Sequence, residues 1–259
     1  MRPVGAPSGF ASYPRPGRAL MVILIGLPVA YLFELVAMRT FMPDFLSELA
    51  LSPPAVFSGK VWQPATYVLL HSPVSPGHLF FNLIGFYFLG APLERWWGAR
   101  RFAVSSAIFV AAGGALTLGF AGVVMALGAA ARFPFLTAGP HLGADGVIAG
   151  LSIAFGIVQW NASMQLLLIP VSFTGRTWVL MTLVFEVFSA LSFSGVSSTS
   201  HIGAMGAAAV LCTGTWKLST LRSFVKRGSL RAQQRKLEQE LRIIEGGRGK
   251  KPKKDDLPN

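Results

Sequence analysis

Residues 78–102 read HLFFNLIGFYFLGAPLERWWGARRF. From Leu79 to Leu93 the run is apolar, aromatic or glycine apart from Asn82, and charge returns at once with Glu94, Arg95, Arg100 and Arg101. His78 and Asn82 stand one helical turn apart and so share a face. A stretch of this kind crosses a membrane as a helix, with a polar mouth at one end and a charged exit at the other.

The rest of the chain agrees. It has 259 residues, 52% of them hydrophobic and only 13% charged, with a mean hydropathy of +0.53. An ordinary soluble domain carries about 25% charge. So few charges cannot cover that much apolar surface in water, which excludes a soluble enzyme, and disorder is excluded except at the ends. The single cysteine, Cys212, excludes a disulfide framework and any site built on several cysteines. The expected class is all-α: a polytopic membrane protein.

Apolar runs occur at Ala19–Met38, Leu79–Leu93, Ala103–Leu127, Val147–Trp160, Trp178–Phe193 and Ile202–Trp216. Each is expected to be a helix, because a backbone in lipid must satisfy its own N–H and C=O groups. The reading is therefore six spans over residues 19–220, preceded by a flexible Pro/Gly-rich tail over 1–18 and followed by a basic tail over 221–259. Arg39 closes the first run and no small-residue cleavage site follows it, so a retained span is expected rather than a signal peptide.

The net charge is +12, but it is not spread evenly. Residues 217–259 hold 13 of the 23 Lys and Arg and 5 of the 11 Asp and Glu, a net of +8. Such a tail points to anionic lipid and the cytoplasmic face rather than to nucleic acid. Arg2, Arg15, Arg18, Arg95, Arg100, Arg101 and Arg176 fall on the same side in a six-span layout, against Lys60 and Arg132 on the other. Both termini are then cytoplasmic, and in a bacterial cell the membrane would be the plasma or inner membrane. Within the tail, Ser229 to Gly246-Gly247 frames an amphipathic helix with a seam of Leu230, Leu237, Leu241 and Ile244.

Residues 41–77 form the one long connection. They are too apolar for a solvated linker, and Pro53, Pro54 and Pro64 stop them from spanning. A loop half-embedded in the outer leaflet is expected, and loops of this length are usually functional.

Ionisable groups inside a membrane are costly, so each is a candidate for function. His71, His78, His141 and His201 all fall on the outer side, as does Asp145 at the mouth of the fourth run; Glu34 and Glu186 lie within runs one and five. His71 and His141 are expected to be ordinary interfacial histidines.

Set in order, the motifs carry a resemblance. They are Trp62-Gln63-Pro64-x-Thr66, His71, His78-x-x-x-Asn82, Gly90-x-x-Leu93-Glu94-x-x-x-Gly98-x-x-Arg101-Phe102, Gly143-Ala144-Asp145-Gly146-x-x-x-Gly150 and His201-Ile202-Gly203. In this order and spacing the chain resembles the rhomboid family of intramembrane serine proteases, with a His71–His78 gap two residues longer. The resemblance implies a six-helix bundle with a membrane-embedded first loop. It places His201 as general base, His78 and Asn82 as oxyanion donors, and Gly146, Gly150 and Gly203 where spans four and six approach closely. Glu94 matches a carboxylate that ties the loop region and helix ends together. No metal and no other cofactor is implied.

One position departs. The family's GxSG reads Gly143-Ala144-Asp145-Gly146, so the nucleophile position is Asp145. A carboxylate has no proton to yield to His201 and attacks amides poorly. Ser152 is two turns on and ~10 Å deeper, and Ser197, Ser198 and Ser200 lack the elbow. The expected function is a pseudoprotease that binds transmembrane clients without cutting them. The alternatives are an active rhomboid-type serine endopeptidase, or a metal-dependent intramembrane hydrolase using Asp145, His201 and His78. A transporter lacks the broken helix pairs or repeats that would support it.

Overall fold

The computed structural model describes residues 13–132, 140–166, 169–191 and 198–214. The tail helix expected over 229–247, the N-terminal tail before residue 13, and Ser197 lie outside them. Helices occupy all six segments where spans are expected. The first is α1 (Arg18–Thr40). Three short helices follow in the long connection: α2 (Phe45–Leu49), α3 (Pro53–Phe57) and α4 (Gln63–Thr66). The second segment runs through α5 (Pro76–Gly85), a π turn at Phe86–Gly90, and α6 (Ala91–Trp97). The remaining four are α7 (Ala99–Ala126), α8 (Asp145–Val158), α9 (Gly175–Leu191) and α10 (Ser198–Thr213). α1 and α7 are each long and apolar enough to cross a membrane.

Apolar side chains cover the outside of the helices as well as the core. The outer face of α1 exposes Val22, Ile25, Val29, Leu32, Phe33 and Val36, and that of α9 exposes Leu180, Val184, Phe185, Val187, Phe188 and Leu191. A soluble protein does not leave such continuous apolar faces bare; lipid is their natural solvent. Inside, by contrast, sit Glu34, Gln63, His71, Asn82, Thr117, Glu186, Ser200 and His201. Small residues bring the helices together. α10 packs along both α7 and α8, and Thr117 of α7 meets Thr199 of α10 at 2.9 Å.

The prolines of the first loop start helices as well as preventing a span. Pro53 and Pro54 open α3 and Pro64 opens α4, where a missing N–H costs nothing. Gln63, fully buried, fastens the loop. Its Oε1 accepts from Ser52 N at 3.0 Å, and its Nε2 donates to the Ser47 and Glu48 carbonyls at 3.1 and 3.3 Å. Thr66 donates to Leu49 O at 2.7 Å and Trp62 Nε1 to Glu48 O at 2.9 Å. The Trp62-Gln63-Pro64-x-Thr66 motif is thus the loop's internal tie.

Two features were not foreseen. The second segment is not a plain helix, since the π turn at Phe86–Gly90 interrupts it, as single-turn bulges do inside longer helices. An antiparallel hairpin, β1 (Ser163–Leu166) with β2 (Ile169–Thr174), joins α8 to α9, with a bulge at Gln165/Leu166.

Glu94 serves one of its two expected ties. Its carboxylate accepts from Ala19 N at 2.9 Å and Leu20 N at 3.1 Å, so it caps the otherwise orphaned donors that begin α1. The loop of residues 41–77 has no bond to it among the described residues. Glu94 stands four turns after His78 along the second segment, at the far end from the loop.

Candidate functional site

The site forms where the start of α8 meets α5, α9 and α10. The approach to α8 is held by the first loop. Leu51 and His141 exchange backbone hydrogen bonds at 2.9 and 2.8 Å, and Gly143 N donates to Tyr67 O at 3.0 Å. Gly143 has φ +108, and a Cβ there would lie 2.6 Å from both Asp145 Oδ1 and His78 Cε1. The turn that presents Asp145 therefore requires glycine on both backbone and steric grounds.

Asp145 and His201, 56 residues apart in sequence, are joined at Oδ2···Nε2 2.7 Å. On the other edge of the ring, His201 Nδ1 meets Glu186 Oε2 at 2.9 Å. Where both carboxylates are ionised they only accept, and the imidazole between them then donates at both nitrogens as a cation. The chain Asp145–His201–Glu186 links α8, α10 and α9. Asp145 keeps a side-chain exposure of 29%, while His201 and Glu186 are at 10% and 9%. The second Asp145 oxygen, Oδ1, faces His78 Nε2 at 3.7 Å, an ion-pair distance rather than a hydrogen bond.

Asn82 does not point with His78 at Asp145. Its amide donates to His71 Nε2 at 3.1 Å, and the His71 and His78 rings lie 5.2 Å apart. His71 N in turn donates to Glu34 Oε2 at 3.1 Å. His71 and His141, read as interfacial histidines, are enclosed by the protein at 0% and 7% exposure. Burial pushes the His71 imidazole down to about 4, helped by the neighbouring His78. Burial also lowers His141, against the pull of Asp145.

The glycines divide differently from expectation. Gly146 packs on Ser200, and Gly150 on Phe109 and the Ala204 carbonyl, so both face α10 as expected. Gly203 instead faces α7: a Cβ would sit 2.4 Å from the Ala112 carbonyl oxygen. Ser200 and Ala204, one turn apart, form the α10 face toward α8, and Gly203 lies off that face. The Gly113-Gly114 pair in α7 was the available signal for this contact. Ser152 is committed elsewhere, bonded to Thr182 at 2.8 Å and accepting from Trp178 Nε1 at 2.9 Å.

Glu186 and Glu34 are the residues whose roles sequence reasoning left open. Their only signal was a carboxylate inside an apolar run. Among the described residues, no three His, Cys, Asp or Glu side chains gather as a metal-ligand set.

The Rhomboid domain family model matches residues 58–218. Comparison with curated proteins finds none that matches the chain. With that match over more than half its length, this chain belongs to the rhomboid family, and its apolar helices are those of a membrane protein.

Proposed function

We propose that the protein is a rhomboid-family pseudoprotease, a six-span protein that binds transmembrane clients within the bilayer and leaves their peptide bonds intact. One observation carries this reading: the family's serine position holds Asp145, whose carboxylate is bonded to the histidine at the base position, 2.7 Å away. Serine peptidase chemistry needs a hydroxyl to give up a proton and a neutral base to take it. Here the first is missing and the second is already protonated between two carboxylates.

Lateral binding is supported by an apolar cleft of about 580 Å³ between α1 and α7, with Ile23, Leu27, Phe33, Phe86, Val110 and Val147 among its walls. The basic tail would engage anionic lipid, and the basic residues listed above would set both termini in the cytoplasm. An active endopeptidase gains no support from Ser152, which is spent on Thr182 and Trp178. The test is a generic single-span substrate, carrying a photo-crosslinker, added to purified full-length protein in bilayers. The expected result is a crosslinked, uncut substrate. Cleavage that disappears in His201→Ala would overturn the reading.

A further inference from the structure

We propose that Asp145, His201 and Glu186 form the working groups of a chemistry other than peptide cleavage, hydrolysis of neutral epoxides carried on acyl chains. This goes beyond client binding and does not depend on it. A carboxylate that attacks an amide is expelled again, because it leaves more readily than the amide nitrogen. At an sp3 carbon bearing a strained C–O bond the same attack gives a stable ester. Asp145 suits that role: Oδ2 is held by His201 at 2.7 Å, while Oδ1 has no hydrogen bond among the described residues and lies in a side chain 29% exposed.

The proton count closes on the residues present. In the resting site His201 carries protons on both ring nitrogens. Asp145 Oδ1 attacks an epoxide carbon, the ring C–O bond breaks, and the departing oxygen takes the Nε2 proton of His201. Asp145 is now a neutral ester and His201 a neutral base. His201 removes a proton from water, and the resulting hydroxide attacks Cγ of Asp145. The tetrahedral intermediate collapses with cleavage of the ester bond, the leaving alkoxide takes the Nε2 proton of His201, and Asp145, left as the carboxylic acid, returns its proton to His201 and restores the ion pair. The sum is epoxide plus water to vicinal diol. Glu186, 2.9 Å from Nδ1, is a positioning residue that keeps the Nδ1 proton in place while Nε2 works.

Charge and polarity select the substrate. The ion-pair partners of Asp145 among the described residues are histidines alone, and Lys60 is paired with Glu48 at 2.7 Å. A phosphate or a free carboxylate would meet two anions with one cation between them, whereas a neutral epoxide carries no such penalty. The helices that carry the site turn apolar faces outward, Leu180, Val184 and Phe188 on α9 among them, which favours a substrate with a hydrocarbon chain over a sugar.

The experiment uses full-length protein in lipid nanodiscs, heavy-oxygen water and epoxidised methyl oleate. Diol should form, and after several turnovers the heavy isotope should appear in the side chain of Asp145 by peptide mass spectrometry. Asp145→Ala should form no diol, and His201→Gln should lose on the order of 10²–10⁴-fold in rate. Glu186→Gln should slow ester hydrolysis more than its formation, so that the adduct accumulates on Asp145 in the intact mass. Folded wild-type protein that leaves the epoxide unchanged overturns the proposal. So does diol formation without isotope in Asp145. Neither result bears on peptide cleavage, which the crosslinking assay reads separately.

Discussion

Glu186 Oε2 and His201 Nδ1 lie 2.9 Å apart where α9 meets α10. This contact gives the base position a carboxylate behind it, the arrangement that fixes a histidine's tautomer in serine hydrolases. Replacing Asp145 would release Nε2 and leave a neutral, oriented base. Asp145→Ser should therefore gain labelling by a fluorophosphonate that wild type does not show. His201→Ala in that background should abolish it, and Glu186→Gln should slow it by on the order of 10²–10⁴-fold. Gel fluorescence after labelling reads all four proteins. Labelling of wild type would identify another serine as nucleophile.

The same three residues latch three helices. His201→Ala would leave Asp145 and Glu186 as anions without their shared cation, in a site where Glu186 is 9% exposed. Breaking a buried pair in this way costs ~3–5 kcal/mol. Thermal unfolding in detergent should show a clear fall in Tm for His201→Ala. Asp145→Asn should be milder, since the amide retains a hydrogen bond. An unchanged Tm for His201→Ala would remove the latch.

His71 makes stability fall in acid. Burial holds its folded pKa at about 4 against 6.5 for an unperturbed histidine. The unfolded chain thus binds the extra proton first as pH drops. The stabilisation is complete above about pH 6.5 and is lost progressively down to about pH 4, on the order of 3 kcal/mol in all. Protonation at Nε2 also forfeits the Asn82 hydrogen bond. Tm measured between pH 7 and pH 5 should fall more steeply for wild type than for His71→Gln. Equal slopes would assign the acid sensitivity elsewhere.

Close helix contact can be tested at Gly203. A methyl there would meet the Ala112 carbonyl oxygen at 2.4 Å, a backbone atom that cannot swing away, whereas Gly206 has nothing within 4 Å. Gly203→Ala should cost ~1–3 kcal/mol through overpacking, and Gly206→Ala close to nothing. Paired melting curves would show the contrast, and equal Tm values for the two variants would contradict the contact.

What the amino-acid sequence settled by itself is local and ordered. Apolar runs bounded by charge placed all six helical segments, because a lipid-facing backbone has few ways to satisfy its hydrogen bonds. Fixed spacings, from Trp62-Gln63-Pro64 to His201-Ile202-Gly203, identified the family. The facing directions were decided only in three dimensions. In a soluble helix, apolar periodicity marks the inner face. Here α1 and α9 are apolar on the outside too, so the pattern says little about rotation or depth. Hence Gly203 was assigned to the wrong neighbour, and the bond from the Asn82 amide to His71 could not be read from its spacing to His78. Hence also Glu186 could be seen as a buried carboxylate but not as the partner of His201. That pairing depends on how α9 and α10 are turned toward each other, which only the packed bundle determines.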